Sequence, residues 1–428
     1  MRRVLIISYY WPPAGGSGVQ RWVKFAKYLP QMGWQPVVYT PSNPSYQTLD
    51  KNLGREIPPE AEIIRTPIWE PYGAWKRFDR SGAKELNPIH GGRKTLKQRL
   101  SLLIRANLFI PDPRVSWVKP SVKFLARYLR KNPVEAIITT GPPQSMHLIG
   151  RRLSIKTGLP WIADFRDPWT DIFYFKHLPL TGAARRKQEN LELEVLRDAT
   201  AVVAVSPAVQ KDFALKTMTP VHLITNGFDP EDYAFEAMGD GFFNITHTGQ
   251  FSLAGIPENL WKAIAELCDE DADFAGKVRI RLCGQTDSEV LESIAEAGLS
   301  KKIVNLGYKP HLTAIREQKA AGMLILPLRK DPEYSKVLPG KLFEYLAAGR
   351  PILGIGQKNG AMATVLEDTG AGVTCEWDDV QGAKQFISKI WRIWRSGRQY
   401  SAPSGIDRYS RRNVTAQYVK LLNSITGK

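Results

Sequence analysis

The chain has 428 residues, 43% of them hydrophobic and 24% charged, with a formal net charge of +17. This composition excludes a disordered chain, and the length exceeds what one hydrophobic core supports, so we expect two domains of about 200 residues each. No run of about 18 apolar residues occurs, and the apolar residues 4–7 are too few for a signal-peptide core, which predicts a cytoplasmic protein.

Along the first half of the chain, short apolar segments bounded by turn residues alternate with longer amphipathic segments. This alternation is typical of βα units that build a parallel sheet with both faces covered. The predicted strands are 4–8, 36–39, 136–139, 161–163, 201–205 and 222–225. Residues 1–228 are therefore predicted to form a Rossmann-like domain.

The pattern restarts beyond an Asn-Gly turn at residues 226–227, which ends the last of these strands. The predicted strands of the second half are 244–246, 279–283, 303–306, 323–327 and 352–355. Residues 229–410 are thus a second predicted Rossmann-like domain, and an amphipathic helix follows within 411–428. The predicted fold class is α/β, with two Rossmann-like domains that face a cleft.

The positive charge is concentrated in the first half of the chain. Residues 1–225 hold 34 Lys and Arg against 17 Asp and Glu, whereas residues 226–428 hold 25 of each. Leucine and isoleucine recur at helical spacing over residues 96–108, which predicts a basic amphipathic helix. The basic side chains of the surrounding segment, 93–131, are Arg93, Lys94, Lys97, Arg99, Arg105, Arg114, Lys119, Lys123, Arg127, Arg130 and Lys131.

Two interpretations of this basic segment are open. In the first, which we favour, it binds the anionic surface of a membrane, because Trp75, Phe78 and Trp117 are close in sequence and suit a membrane interface. In the second, the charges are solvated and the apolar stripe packs into the domain core. No nucleic-acid-binding motif accompanies the charge, so nucleic acid is not an expected partner.

Open parallel sheets bind ligands beyond the carboxyl ends of their strands, and polar or glycine residues follow the predicted strands here. In the first half these residues are Gly15, Gly16, Gly18, Gln144, Ser145, His147, Asp164, Arg166 and Asp167. In the second half they are His247, Thr248, Gly249, Gly284, Gln285, Tyr308, Arg329 and Lys330. The glycines let the backbone approach an anion or a sugar, and a carboxylate at a strand end can receive a proton from an acceptor hydroxyl.

Several of these residues also have a simpler interpretation. Asp164 and Arg166 either position an acceptor or form an internal ion pair that holds their loop. His147 is either a sugar contact or a packed core histidine, and Asp112 is interpreted as a turn former. We expect no metal site, because no Asp-x-Asp follows a strand and the three cysteines, taken as buried reduced thiols, show no metal-ligand spacing.

Residues 339–351, Pro-Gly-Lys-Leu-Phe-Glu-Tyr-Leu-Ala-Ala-Gly-Arg-Pro, carry the strongest functional signal. A helix that starts near Leu338 leaves backbone N–H groups unpaired in its first turn, and Lys341 adds a positive charge there, which suits a diphosphate. Glu344 follows three residues later on the same face, where its carboxylate can accept hydrogen bonds from the two hydroxyls of a ribose. The segment therefore predicts a site for a nucleoside diphosphate.

Five segments, taken in order, resemble one enzyme family. They are Tyr-Tyr-Trp-Pro-Pro-Ala-Gly-Gly-Ser-Gly-Val-Gln-Arg at 9–21, Asp-Phe-Arg-Asp-Pro-Trp at 164–169, Asn-Gly-Phe-Asp at 226–229, His-Thr-Gly at 247–249, and 339–351. In these segments the chain is similar to the retaining GT-B glycosyltransferases of family 4, also called group 1. The resemblance implies metal-free transfer of a sugar from a nucleotide-diphosphate sugar to an acceptor hydroxyl, with no other cofactor, and a final helix that packs on the first domain.

The resemblance also implies roles for the candidate residues. The second domain is expected to hold the donor through Glu344, Gly340, Gly249, Thr248, Gly284 and Tyr308. The residues expected to act in catalysis are Lys341, Arg329 and Asp167, and Lys341 would stabilise the leaving diphosphate. The first domain is expected to bind the acceptor, or the sugar, through Gly15, Gly16, Gly18, His147 and Arg166.

The chain departs from the family at two positions. Lys336 stands where many relatives carry a Glu that touches the transferred sugar, and Gln250 stands where they often carry an Arg. Arg329 is the first candidate to supply the missing positive charge, and Lys330 and Lys336 are the alternatives. The basic first half suggests an acceptor at a membrane, such as a lipid-linked glycan of a bacterial surface polysaccharide. The alternatives are a nucleotide-sugar epimerase of the same fold and a non-catalytic partner subunit that binds a nucleotide sugar.

Overall fold

A computed structural model describes residues 1–46, 48–50, 53–71, 96–398 and 400–427. The chain forms two compact units: Met1–Thr225 together with Val414–Lys428, called unit 1, and Asn226–Asn413, called unit 2. Each unit contains one parallel sheet, as the sequence predicts. No helix among the described residues is both long enough and apolar enough to cross a membrane.

Unit 1 contains a seven-stranded parallel sheet in the order β3-β2-β1-β4-β5-β6-β7. Its strands are β1 Arg2–Ile7, β2 Trp34–Pro41, β3 Glu62–Thr66, β4 Ala136–Gly141, β5 Trp161–Phe165, β6 Ala201–Ala204 and β7 Val221–Leu223. The edge strand β3 is not among the predicted strands, because it is only partly buried and charged residues flank its two isoleucines. The others are the predicted strands with shifted ends.

Helices cover both faces of this sheet. Those of the first half are α1 Ser17–Tyr28, α2 Leu96–Leu108, α3 Val118–Lys131, α4 Ser145–Thr157, α5 Gly182–Asp198 and α6 Pro207–Ala214. On β1, Leu5 and Ile7 belong to one core cluster, while Val4 and Ile6 belong to the cluster on the opposite face. Burial on both faces explains why the predicted strands are almost continuously apolar.

Unit 2 has the same layered arrangement, with six parallel strands in the order β10-β9-β8-β11-β12-β13. Its strands are β8 Phe243–Thr248, β9 Val278–Cys283, β10 Ile303–Gly307, β11 Met323–Pro327, β12 Ile352–Ile355 and β13 Gly372–Cys375. The helices of this unit are α7 Glu258–Glu270, α8 Ala272–Lys277, α9 Ser288–Glu296, α10 His311–Ala320, α11 Gly340–Ala348, α12 Ala361–Thr369 and α13 Val380–Arg395. The last helix, α14 Arg411–Ile425, belongs to unit 1 from Val414 onwards. The sequence does not predict β13, because this edge strand has four residues and is mostly half-exposed.

A buried ion pair links α1, β5 and α14 within unit 1. The Nη2 of Arg21 donates to Oδ1 of Asp164 at 2.8 Å, and both side chains are completely buried. Asp164 also accepts hydrogen bonds from Trp22, Thr140 and Tyr418. Burial opposes the ionisation of Asp164, but the charge and hydrogen bonds of Arg21, with those of Tyr418 and Thr140, hold its pKa below the ordinary value.

This network shows that one predicted contact is wrong. Asp164 pairs with Arg21 and not with Arg166. The guanidinium of Arg166 donates instead to the backbone carbonyls of Gly141, the last residue of the neighbouring strand β4, and of Pro142, which follows it. Arg166 is therefore held by these two carbonyls and not by an ion pair with Asp164.

Part of the basic segment 93–131 is buried instead of lying at the surface. Arg114 forms a buried ion pair with Glu70 at 3.0 Å, and Trp117 stacks on Tyr39 with ring centroids 4.8 Å apart. The prediction that Trp117 lies at a membrane interface is therefore wrong. The other aromatic residues of this prediction, Trp75 and Phe78, and the basic residues Arg93 and Lys94 lie outside the described residues.

We predict that Arg21→Met lowers the free energy of unfolding by about 3 kcal/mol, because it leaves Asp164 without its charged partner in the core. Urea unfolding at pH 7 measures this loss. The matched control is Arg197→Met, which removes an exposed arginine from its ion pair with Asp198 and should leave the free energy of unfolding nearly unchanged. Equal losses in the two variants would contradict the importance of the buried pair.

Candidate active site

Two loops of unit 2 meet at the carboxyl ends of β8 and β9. The N–H of Gly249 donates to the carbonyl of Cys283 at 2.8 Å, and that of Phe251 donates to the carbonyl of Gln285 at 2.9 Å. Gly249 and Gly284 both have a positive φ, and a Cβ on Gly284 would overlap the backbone of Gly249. The two loops approach this closely because both positions are glycine.

Helix α11 begins beside these loops. Pro339 precedes its first residue, Gly340, and provides no side-chain cap. The N–H of Leu342 donates to the carbonyl of Pro339 at 3.0 Å, so the N–H groups that a ligand can use at this end are those of Gly340 and Lys341. Lys341 lies in the first turn, and a Cβ on Gly249 would stand 2.6 Å from its Cε. The lysine side chain therefore lies directly against the glycine loop that follows β8.

The ammonium group of Lys341 has two acceptors in that region. Its Nζ is 2.8 Å from the carbonyl oxygen of Gln250 and 3.2 Å from Nε2 of His247, which is buried. Burial lowers the pKa of Lys341 to about 8, although Glu344 partly opposes this shift. Burial also lowers the pKa of His247 to about 3. Near neutral pH the two side chains are therefore a charged lysine and a neutral histidine.

Glu344 lies one turn further along α11 and is held by Gln318. The Nε2 of Gln318 donates to Oε2 of Glu344 and to Oγ1 of Thr248, both at 3.0 Å. Its Oε1 accepts from the hydroxyl of Tyr233 at 3.1 Å, and the hydroxyl of Tyr345 accepts from the N–H of Thr248 at 2.9 Å. The predicted donor residues Thr248 and Glu344 are thus connected by one buried amide.

The sequence does not predict a role for Gln318. This residue is completely buried near the end of α10, three residues after the buried Ile315, so it occupies the core face of the helix. A glutamine at core spacing is the one signal that could have identified it. Its partners Thr248 and Glu344 are distant in sequence, so the pattern around Gln318 does not reveal them.

Three other candidates of unit 2 lie on surrounding loops. Tyr308 follows the edge strand β10, and its side chain is 67% exposed. Arg329 follows β11, where its Nε is 3.4 Å from Asp331 and its guanidinium is 5.6 Å from the ring centroid of Tyr334. Lys336 is exposed. Because Arg329 already has a carboxylate partner, its role as a second charge for the donor stays a prediction.

In unit 1, the glycine loop after β1 adjoins the loop after β5. Gly16 immediately precedes α1 with a φ of 101°, and Gly15 donates its N–H to the carbonyl of Thr48 at 2.9 Å. The guanidinium of Arg166 occupies the space beside Gly18 where a Cβ would stand. Gly18 and Arg166, from strand ends far apart in sequence, are therefore direct neighbours.

His147 and Asp112 have partners within unit 1. His147 is completely buried, its Nδ1 is 2.8 Å from Oγ1 of Thr139, and burial lowers its pKa to about 3. Its Nε2 has no hydrogen-bond partner among the described residues and lies against the backbone of Gly141. Asp112 accepts from the N–H of Ser145 at 2.8 Å and from its hydroxyl at 2.9 Å, so it caps α4 from outside the helix.

Asp167 is exposed in the loop after β5. In the described part of the chain, no three His, Cys, Asp or Glu side chains are grouped so that they could hold a metal ion. Cys268 is half-buried and Cys283 and Cys375 are buried, all as free thiols.

The chain matches the models of one enzyme family over most of its length. The model of Glycosyltransferase Family 4 matches residues 16–232, and the model of Glycosyl transferases group 1 matches residues 243–395. The chain therefore belongs to the group 1 glycosyltransferases, and the protein is a glycosyltransferase. No curated protein sequence matches it.

Several solved structures are similar to the chain over its whole length. Sucrose-phosphate synthase from Thermosynechococcus elongatus has a TM-score of 0.63 and 16% identity, covering 100% of both chains. HepE from Anabaena, solved with UDP, has a TM-score of 0.61 and 14% identity, covering 99% of this chain and 100% of HepE. WaaG, a glycosyltransferase involved in lipopolysaccharide biosynthesis, has a TM-score of 0.55 and 14% identity, with the same coverage. At these identities the similarity establishes the GT-B fold.

We predict that Gly284→Ala lowers the free energy of unfolding by about 2 to 3 kcal/mol, because its Cβ would displace the backbone of Gly249. Gly298→Ala is the matched control, since Gly298 also has a positive φ but has open space around it, and it should lose about 1 kcal/mol. Denaturant unfolding of the two variants measures both losses. If Gly284→Ala were no worse than the control, close contact between the loops would not be needed.

Proposed function

We propose that this glycosyltransferase moves a sugar, with retention, from a nucleotide-diphosphate sugar to a hydroxyl of a lipid-linked or surface-polysaccharide glycan. The observation that carries the donor part is the cluster in unit 2, where α11 places Lys341 against Gly249 and Gln318 joins Glu344 to Thr248. Membership in the group 1 family gives the reaction class. The donor, the acceptor and the stereochemistry are our proposal.

The diphosphate binds at the start of α11. The free N–H groups there and the backbone of Gly249 approach its oxygens, and glycine leaves room for this contact. Lys341 is held beside that backbone in a partly buried site, where its charge acts strongly on nearby oxygens. As the bond to the sugar breaks, the lysine stabilises the negative charge that grows on the leaving phosphate without a metal cofactor.

The ribose binds to Glu344. Its two hydroxyls donate to the carboxylate, whose orientation is set by the hydrogen bond from Gln318 to Oε2. Thr248 is held by the same amide and by Tyr345, so the strand end and the helix keep a constant separation. The other proposed donor contacts are Gly340, Gly284 and Tyr308, with Arg329 as a second positive charge.

The acceptor binds to unit 1 at the strand ends that carry the glycine loop 15–18, His147 and Arg166. Asp167 is exposed in the same loop as Arg166, so its carboxylate can reach the hydroxyl of a substrate and receive its proton. The unpartnered Nε2 of His147 supports a polar contact at this edge of the sheet.

An anionic membrane surface is the proposed location of the acceptor. On α2, Leu100 is 57% exposed, Leu103 44% and Leu108 73%, so these leucines do not pack into the core. The exposed basic side chains of α3 are Lys119, Lys123, Arg127, Arg130 and Lys131. Exposed leucines that enter the headgroup region and basic side chains that attract anionic lipids together suit such a surface.

We predict that the correct nucleotide sugar raises the melting temperature of the wild type, and that Glu344→Ala weakens its binding about 10- to 100-fold through the lost ribose contacts. A thermal screen of UDP-, GDP- and ADP-sugars identifies the donor. The matched control is Glu367→Ala, which removes an exposed glutamate of α12 and should bind normally.

The identified donor then tests the reaction itself. With a lipid-linked acceptor we expect a product whose anomeric configuration, read by NMR, is that of the donor. Conversion of the donor sugar without any acceptor would support an epimerase instead. Binding without transfer to any acceptor would support a non-catalytic subunit.

We predict that combined reversal of Lys123, Arg127 and Arg130 to Glu lowers binding to anionic liposomes at least about 100-fold, at roughly 1 kcal/mol per basic residue. Liposome sedimentation measures this effect. The control reverses three exposed lysines of unit 2, Lys262, Lys277 and Lys301, and should bind like the wild type. Unchanged binding in the first variant would contradict a membrane role for α3.

A further inference from the structure

We infer that His247 is a positioning residue, whose neutral imidazole holds the ammonium group of Lys341 in place for the diphosphate. This inference rests on the proposed function, because that function gives Lys341 its role toward the leaving group. It adds a group that does not touch the substrate but acts through the lysine.

The hydrogen bonds around His247 determine which nitrogen carries the proton. Its Nδ1 is 3.2 Å from the backbone oxygen of Ile325, which can only accept, so Nδ1 carries the hydrogen. The lone pair of Nε2 then accepts from Nζ of Lys341 at 3.2 Å. The carbonyl of Gln250, 3.3 Å from Nε2, accepts from Lys341 instead at 2.8 Å. The other tautomer would direct an N–H at the ammonium group and leave Ile325 facing a lone pair.

The imidazole is held more rigidly than the lysine that it contacts. His247 belongs to β8 and is 2% exposed, and its ring packs on Phe251 with centroids 4.4 Å apart. A lysine side chain, in contrast, loses much rotamer freedom when it is fixed. His247 and Gln250 together accept two of the three ammonium protons, which leaves one N–H for a phosphate oxygen. The donor group is therefore oriented before the ligand arrives.

The electrostatic surroundings make the contact sensitive to protonation. The charged and titratable groups that face Lys341 are Glu344 on its own helix and His247 on β8, while Gly249 of the neighbouring loop contributes only backbone. An acceptor that bonds the charged form of a lysine raises its pKa, so loss of the acceptor lowers it. Removal of Nε2 should therefore let Lys341 lose its proton at a lower pH.

Two substitutions separate the positioning role from a merely structural one. His247→Asn keeps an amide N–H near Nδ1, and so the bond to Ile325, but has no atom at the position of Nε2. His247→Gln places an amide oxygen at the position of Nε2 but gives up the bond to Ile325. Calorimetry first identifies which of UDP, GDP and ADP the wild type binds most tightly. The affinities of every variant for that diphosphate and for its monophosphate are then measured from pH 6.5 to 9.5.

We predict that His247→Asn lowers the diphosphate affinity about tenfold and leaves the monophosphate affinity unchanged, because a donor misplaced by about 1 Å loses most of its effect. Its affinity should begin to fall about one pH unit lower than that of the wild type, which falls above about pH 8. His247→Gln should stay within about threefold of the wild type at pH 7. The reverse order of the two variants, or wild-type behaviour in both, overturns the inference.

Lys341→Met distinguishes failure of this inference from failure of the proposed function. If that variant binds the diphosphate and the monophosphate with the wild-type ratio, the role proposed for Lys341 is wrong, whatever the His247 variants do. If it loses the preference for the diphosphate, the role of Lys341 is supported, and the results of the His247 variants then test the positioning role of His247 by themselves. His222→Asn, on β7 of unit 1, is the control for a histidine replacement, and thermal unfolding verifies that every variant is folded.

Discussion

A carboxylate without access to water constrains the whole of unit 1. Asp164 is the last residue but one of β5, and it stays ionised because Arg21 of α1 lies against it. Arg21 also donates to the carbonyls of Ile224 and Thr225, so the ion pair holds the segment where the chain leaves the unit. A buried pair of this kind adds little net stability, but each partner makes the other indispensable. The glycine loop before α1 and the loop after β5 are thereby tied to a single geometry.

Unit 2 positions its charges by a different means. Lys341 is held by a neutral histidine and a backbone carbonyl, and Glu344 is held by the amide of Gln318. Neutral partners orient a charged group without cancelling its charge. The buried ion pair of unit 1 satisfies itself internally, whereas the hydrogen-bond partners described for Lys341 and Glu344 in unit 2 are neutral groups. This contrast is the physical reason to propose the α11 cluster, and not Asp164, as the donor site.

The accuracy of the sequence predictions follows the range of the interactions involved. Lys341 and Glu344 lie on one helix turn, so the Pro-Gly break and their spacing of three determine their relation locally. Gln318 contacts Glu344 across 26 residues and Thr248 across 70, and Arg21 contacts Asp164 across 143, so no local pattern reports these pairs. The sheets were predictable from apolar runs except for the edge strands β3 and β13, whereas the other two edge strands, β7 and β10, were predicted although they are also half-exposed.

The errors around the basic segment have a related cause. Composition counts Arg114 among the basic residues, but its partner Glu70 comes from a distant segment and both side chains are buried. Trp117 likewise packs on Tyr39 of β2, which its own neighbours in sequence do not indicate. The leucines of α2 show the opposite behaviour, since periodicity alone leaves open whether the apolar stripe of a helix packs inward or stays exposed. In both cases, contacts with residues distant in sequence determine whether a side chain is buried or exposed.

The same geometry bears on the family position now occupied by Gln250. Its side chain is exposed, and the residue contributes to the lysine only through its backbone carbonyl, which any amino acid at this position would supply. The cation that the family often places on this loop is therefore not needed there if Lys341 approaches the same loop from the first turn of α11. The residue that this arrangement requires on the loop is instead Gly249, because a side chain there would clash with the aliphatic part of Lys341. We interpret Gln250 as compatible with catalysis, because Lys341 of α11 supplies the positive charge that relatives often carry on the loop, and the loop keeps its shape.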